Sequence, residues 1–276
     1  MPKHLEVVSA HTVPSVWAAL RNEAAHLATT EPTLGSMLNA VLLKHDDLAS
    51  ALSYQLARKL SDEELRAMSM REIVEEAFAS DPSLVTSAEA DLRAVFERDP
   101  ACKGYVQPFL FFKGFQALQT YRVAHWLFGQ GRETLAFYLQ SRCSELFQVD
   151  IHPGAVIGSG VFIDHGTGIV IGETAVVSDE VSMLHGVTLG GTGAERGDRH
   201  PKIGRGVLLG AGAKVLGNIL VGDYAKIASG SVVLKPVPAH CTAAGVPARL
   251  VNCPTDEEPA RTMDHTLAEA LYDYVI

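Results

Sequence analysis

Hydrophobic positions along this chain obey two different rules, and the change falls near residue 150. Before it, apolar residues recur at intervals of three and four, the spacing of an amphipathic helix. The stretches SVWAALRNEAAHLA (15–28), LGSMLNAVLLKHDDLASALSYQLARKL (34–60), SAEADLRAVFERD (87–99) and FKGFQALQTYRVAHWLFGQG (112–131) therefore predict helices. Ser61 before DEEL and Ser69 before MREIVEEAF read as N-caps with acidic residues in the first turn.

From Ile151 the period becomes six. The chain reads IHPGAV, IGSGVF, IDHGTG, slips by two residues, and continues as IGETAV, VSDEVS, MLHGVT. After an interruption it resumes as IGRGVL, LGAGAK, VLGNIL, VGDYAK, IASGSV, VLKPVP. An aliphatic residue opens almost every unit and a small residue sits near its fifth position. A hexapeptide repeat is the signature of a parallel β-helix, in which three strand-and-turn units close one coil and the aliphatics stack inward. The expected class is α+β, with a helical domain over 1–148, a β-helix over 149–252 and a flexible tail over 253–276. Such solenoids bury little at their outer faces, so caps and association are expected. The helical domain suits the cap.

Composition narrows the possibilities without naming one. The length of 276 residues suits one large or two ordinary domains, and a hydrophobic share of 47% supplies ample core. A net charge of −9 argues against nucleic acid or an anionic membrane as the main partner. No run reaches the roughly 18 apolar residues of a spanning helix, and the start lacks the pattern of a signal peptide. A cytoplasmic protein is expected. Cys102, Cys143, Cys241 and Cys253 are widely spaced with no C-x-x-C pair, so reduced thiols are expected rather than a disulfide framework or structural zinc.

The interruption, LGGTGAERGDRHPKIG (189–204), is the natural place to look for chemistry. Ile203 follows Leu189 by fourteen positions where twelve would hold phase. Its glycines make it pliable, and Glu195, Arg196, Asp198, Arg199 and Lys202 cannot point into a core. Of the eleven histidines, His4, His11, His26, His45, His125, His240 and His265 read as surface or satisfied core groups. His152, His165, His185 and His200 are the candidates. Asp164-His165 puts a carboxylate and an imidazole at a turn where the repeat normally carries small residues. With coils of about eighteen residues, Asp150 comes near His165 on the next turn. It could then orient one ring nitrogen while the other acts as a base. Arg199 and His200 would add a cation and a second imidazole from the loop. This set suits activation of a hydroxyl on a small charged substrate.

The blocks DIHPGAVIGSGVFIDHGTGIVIGETAVV, VTLGGTG, GDRHPKIG, GAGAKVLGNI and AAGVPARLV resemble bacterial serine O-acetyltransferases of the hexapeptide-repeat superfamily. RDPACKGYVQPFLFFKGFQALQTYRVAHWLFGQGR resembles that family's approach to the β-helix. The resemblance implies a left-handed coil and acetyl transfer from acetyl-CoA to the L-serine hydroxyl, without metal. It implies His165 as general base with Asp150 as partner, and His200 and Arg199 as substrate contacts. Arg199 would hold the serine carboxylate, and Asp99 and Asp164 the ammonium. Acetyl-CoA would lie along a groove lined by Gly191, Thr192, Ala211, Gly212 and Ser229, with Lys226 or Lys235 at its phosphates. Glu173 would support the site or hold a turn. The family pattern further implies a dimer of trimers, feedback by L-cysteine, and a C-terminal Ile276 that binds O-acetylserine sulfhydrylase. Other readings are a related acetyltransferase acting on homoserine or a sugar, a γ-carbonic-anhydrase-like zinc lyase using His165, His185 and His200, or a non-catalytic scaffold.

Overall fold

The computed structural model of the chain describes residues 15–193, 196–254 and 258–267. Among the described residues eight α-helices precede the solenoid: α1 Val16–Thr30, α2 Pro32–Leu38, α3 Leu48–Leu60, α4 Ala67–Ser80, α5 Ser83–Arg98, α6 Val106–Phe111, α7 Lys113–Gly129 and α8 Glu133–Phe147. Among the described residues no helix is long and apolar enough to cross a membrane. The single helix expected over 34–60 is two. A π-helical turn at Asn39–Leu43 ends the first part. Asp47 starts α3 by accepting from the Ser50 backbone N–H at 2.8 Å, a cap inside the apolar period. The two expected serine caps are also corrected. Ser61 terminates α3, and Ser69 lies inside α4. Asp62 takes the local backbone donors instead, accepting from Glu64 and Leu65.

The β-helix has three parallel faces. Face A stacks β1 Val149–Ile151, β4 Ile169–Ile171, β7 Thr188–Gly190, β10 Lys214–Leu216 and β13 Val232–Val233. Face B stacks β2 Val156–Ile157, β5 Val176–Val177, β8 Lys202–Ile203 and β11 Leu220–Val221. Face C stacks β3 Phe162–Ile163, β6 Ser182–Met183, β9 Leu208–Leu209, β12 Lys226–Ile227 and β14 Thr242–Gly245, closed by antiparallel β15 Ala248–Asn252. The six-residue period is explained by what lies inside. Ile151, Ile171, Leu189 and Val215 from face A meet Val177, Ile203 and Val221 from face B, all essentially buried. The expected α+β architecture, helices followed by a hexapeptide-repeat β-helix, is the observed one.

Strand register shows where the coil length departs from eighteen. Val149 pairs with Ile169, Val156 with Val176 and Phe162 with Ser182, so the first coil takes twenty residues. Val170 pairs with Thr188, eighteen away. The two extra residues thus fall in the corner 164–168, between β3 and β4. The loop expected over 190–202 spans 191–201 between β7 and β8, and it adds more residues to the coil than the phase count implies. Leu189 to Ile203 spans fourteen positions, whereas Ile171 to Val177 spans six, so eight residues leave the coil rather than two. One hexapeptide of the count is loop, with no strand among its described residues.

Helix α7 lies across the first coil and caps it. Gly114 allows this: a Cβ there would stand 2.1 Å from the Ile163 carbonyl oxygen. Arg122 donates to the Gly158 carbonyl at 2.7 Å and forms a buried ion pair with Asp91 at 2.8 Å, and Asp91 accepts from the Val161 N–H. His125 Nδ1 meets the Pro153 carbonyl oxygen at 2.7 Å.

At the far end, the cysteine expectation is corrected. Cys241 and Cys253 form a disulfide, while Cys102 and Cys143 are free and buried. The reason is topological: β15 returns antiparallel along β14 and brings Cys253 back beside Cys241. Beyond it, α9 Pro259–Thr262 packs on α5, β6 and β9, and the Ser182 hydroxyl donates to the Ala260 carbonyl at 2.7 Å. Ile276 lies outside the described residues.

Candidate active site

The polar candidates fall at two corners of the prism. The C-to-A corner carries Asp164 and His165. The A-to-B corner carries His152, Glu173, Thr174, Arg199 and His200. Face A, three residues wide at β4, separates them. At about 3.3 Å per residue that is roughly 10 Å.

The C-to-A corner owes its chemistry to the two extra residues of the first coil. Gly168, Gly186, Gly212 and Gly230 all have positive φ and form the regular corner column. The residues before them, Thr167, His185, Ala211 and Ser229, stack one per coil. The Gly186 N–H donates to Thr167 O, Gly212 to His185 O and Gly230 to Ala211 O, each at 2.8 Å. His165 and Gly166 are surplus to this column. His165 takes φ 58° and stands out with its side chain 73% exposed, 3.7 Å from Asp164. Asp99, at the end of α5, shares a cleft of ≈ 470 Å³ with Asp164, His165, Lys113 and Phe112. Lys113 hydrogen-bonds the Thr167 hydroxyl. Burial raises the proton affinity of the Asp164 carboxyl; His165 opposes this, and Asp99 adds to it. Two carboxylates crowded in this way favour a cationic ligand group.

At the A-to-B corner the loop folds back on the coil below. Thr174 is its anchor. The Thr174 hydroxyl accepts from the backbone N–H groups of Arg199 at 3.0 Å and His200 at 3.1 Å. His200 Nδ1 accepts from the Thr174 N–H at 3.1 Å and lies 2.9 Å from its hydroxyl. Nδ1 is thus an acceptor, and the neutral ring carries its proton on Nε2. The ring is buried against Gly172, where a Cβ would come within 2.0 Å of Nε2. Burial lowers the His200 pKa, and Arg199 lowers it further. Arg199 pairs with Glu173 at 2.8 Å, which holds the Glu173 carboxyl below its usual range. His152 is inward-turned: its Nδ1 accepts from the Gly154 N–H, and its ring meets Phe128 and Phe137 edge-on. That is a structural role.

The remaining candidates divide as follows. Asp150 accepts from Gln140 Nε2 at 2.7 Å, and no hydrogen bond joins it to His165 among the described residues. The His165 corner nevertheless abuts its strand, with the Gly168 N–H donating to Gln148 O at 2.7 Å. Ala211, Gly212 and Ser229 share the column above His165. Gly191 and Thr192 lie at the other corner, at the root of the loop. Lys226 is buried and donates to the Thr266 carbonyl at 2.6 Å, so its ammonium is occupied by the tail. Lys235 lines a groove of ≈ 520 Å³ at the far end with Leu234, Pro247, Arg249 and Leu250. Sequence reasoning missed Thr174, Gly172 and Lys113, which read there as ordinary repeat or helix residues. His185 stood among the candidate histidines without a role in transfer.

Known proteins resemble this chain in sequence and in fold. A family model described as "Serine acetyltransferase, N-terminal" matches residues 16–120, and one described as "Bacterial transferase hexapeptide (six repeats)" matches 200–235. The serine acetyltransferase of Escherichia coli (strain K12) is 56% identical over 257 residues, covering 93% of this chain and 94% of the relative. That of Haemophilus influenzae is 54% identical over 249 residues, covering 90% and 93%. A solved serine acetyltransferase in complex with cysteine superimposes with a TM-score of 0.91 at 53% identity, covering 92% of this chain and 98% of its own. A serine acetyltransferase from Brucella abortus in complex with coenzyme A gives 0.85 at 50% identity, covering 88% and 98%.

Proposed function

The chain belongs to the serine acetyltransferase family, and from that premise we propose that it transfers the acetyl group of acetyl-CoA to the hydroxyl of L-serine. The observation that carries the reading is the cleft in which His165 stands beside Asp99 and Asp164. The carboxylates hold the serine ammonium. His165 takes the hydroxyl proton as the oxygen attacks the thioester carbon, the C–S bond breaks, and CoA leaves as the thiol once protonated. O-acetylserine forms directly, with no acyl-enzyme. Orientation of two bound substrates supplies much of the acceleration. Asp150 steadies the His165 ring when the exposed side chain swings toward β1.

Arg199 and His200 act on the same serine from a neighbouring protomer, Arg199 through the serine carboxylate. The support is the separation of the two corners across face A, which leaves each corner of one chain without its complement. A trimer of β-helices closes this gap, and the helical domains pair two trimers. Acetyl-CoA follows the column from His165 past Ala211, Gly212 and Ser229, with Gly191 and Thr192 at the groove's edge and Lys235 toward its phosphates. Lys226 joins only where the tail releases it. L-cysteine inhibits at the serine site, its thiol replacing the hydroxyl, and the C-terminal Ile276 binds O-acetylserine sulfhydrylase.

The test is thiol release from acetyl-CoA, followed with serine, homoserine and a sugar panel. Serine should accelerate release well above the others, and His165→Asn should abolish turnover while CoA still binds. Equal rates across acceptors would overturn the assignment.

A further inference from the structure

The third corner of the prism, between faces B and C, carries side chains where the coil asks for glycine. Gly160, Glu180, Gly206, Tyr224 and His240 stack there one per coil, with φ between 56° and 68°. The N–H groups of Glu180, Gly206, Tyr224 and His240 donate to the coil below at 2.7 to 3.1 Å. Glycine takes this conformation without strain, as two of the five positions show, whereas Glu, Tyr and His do not. The Tyr224 ring lies over Gly206, where a Cβ would come within 2.6 Å of it. It also stacks on His240, with centroids 5.2 Å apart at 20°. The ring is thereby a fixed wall.

That wall bounds a cavity of ≈ 300 Å³ between the corner, the end of α5 and α9. The volume falls at the small end of the range for small-molecule sites. No lining residue is shared with the cleft of His165. Arg98, Arg205 and Arg261 face Glu97, Glu180 and Glu258 across it, three charges of each sign. Arg98 pairs with Glu180, and Arg261 with Glu258 at 3.7 Å. Among the described residues no ion pair takes up Glu97 or Arg205. Arg98 has its side chain 3% exposed, and its two terminal nitrogens donate to Glu180 and Ser182. Among the described residues nothing accepts from its Nε–H. A buried guanidinium donor of this kind calls for an acceptor.

We propose that this cavity binds a small zwitterionic amino acid. Its carboxylate accepts from Arg98 Nε–H and pairs with Arg205, and its ammonium is held by Glu97. A ligand that is only an anion would meet three carboxylates, and one that is only a cation would meet three guanidiniums. A ligand with both charges, set close together, matches both halves of the lining. The site stands apart from the acceptor cleft, and the inference does not depend on the acetyl-transfer reading.

The experiment titrates glycine, L-glutamine, acetate and methylammonium calorimetrically into the full-length Asp164→Asn chain, whose acceptor cleft has lost one carboxylate. The two amino acids should each fill a saturable site, with acetate and methylammonium about tenfold weaker or more. Arg205 and Glu97 are exposed, so their substitution leaves the core intact. Arg205→Gln and Glu97→Gln, each added to Asp164→Asn, should lower amino-acid affinity about tenfold. Arg98→Lys keeps a cation for Glu180 but offers no donor at the Nε position, and should do the same. No saturable heat with either amino acid would overturn the proposal, as would acetate binding as tightly as glycine. Unchanged affinity in Arg205→Gln or in Glu97→Gln would overturn it as well. The melting temperature gives a second readout. It should rise with L-glutamine in Asp164→Asn and hardly at all in Asp164→Asn/Arg205→Gln. An equal rise in both would place the ligand elsewhere and refute the site.

Discussion

Thr174 and His200 hold each other through both backbone and side chain: the Thr174 N–H donates to His200 Nδ1 at 3.1 Å, and the His200 N–H donates to the Thr174 hydroxyl at 3.1 Å. The excursion is thereby docked on the coil beneath it, with the His200 ring seated against Gly172 and Arg199 beside it paired with Glu173. Replacing Thr174 by Val keeps the shape but removes the acceptor for two backbone N–H groups. Each unmet donor costs about 1–3 kcal/mol. The serine KM should rise at least tenfold while the global melting temperature changes little. Unchanged KM would show that the loop is held by other contacts.

Gly172 makes room for the His200 ring, and its substitution tests the same docking from the opposite side. A Cβ would stand 2.0 Å from His200 Nε2, far inside contact distance, so the ring must leave its seat in Gly172→Ala. The expected outcome is a loss of serine turnover comparable to His200→Ala, with CoA binding retained. A crystal structure of Gly172→Ala with His200 in place would contradict this reading.

Acidification should loosen the loop. His200 has its pKa lowered from 6.5, first by burial and then by Arg199, and His152 is lowered by burial as well. In both, the fold favours the neutral ring, so the unfolded chain binds protons at higher pH than the native state. The stabilisation is present above about pH 6.5 and is lost as pH falls through the native values. Thermal melts between pH 7.5 and 5.5 should therefore show falling stability, and the slope should be shallower in His200→Gln. An identical slope in that variant would remove His200 as a cause.

A buried ion pair between α5 and α7 braces the seam between helices and solenoid. Asp91 accepts from Arg122, Gln119 and the Val161 N–H with its side chain 1% exposed. Arg122→Leu would leave that carboxylate without its cation. The expected destabilisation is about 3–5 kcal/mol, measured by denaturant unfolding. Asp91→Asn/Arg122→Leu should restore part of it.

The disulfide predicts a simple thiol count. In denaturant, two of the four cysteines should titrate before reduction and four after it. Cys253→Ser should cost up to about 3 kcal/mol by loss of the cross-link, and reducing agent should remove the difference from wild type.

The hexapeptide period made the solenoid legible because a stacked core demands an aliphatic residue at one fixed phase. His165 and Arg199-His200 were legible because charged and titratable residues are out of place at corners that want glycine. Helix interiors were legible, but their ends were less so. Asp47 and Asp62 capture backbone donors inside stretches whose apolar period runs on unbroken, so local hydrogen bonding decided what periodicity could not. Cys241 and Cys253 looked unrelated because a separation of 12 residues says nothing about a strand that doubles back.

By itself the sequence determined the β-helix, its helical cap and the LGGTGAERGDRHPKIG excursion, since each is written in a local period or its interruption. Only the tertiary structure decided where the extra residues go. Pairing of Val149 with Ile169 puts two of them at the His165 corner, and pairing of Val176 with Lys202 leaves eight in the loop. Hydrogen-bond register between coils is a relation across eighteen or more residues, and no local pattern encodes it. That register sets His165 beside His185 and keeps Arg199 and His200 on the opposite edge of face A.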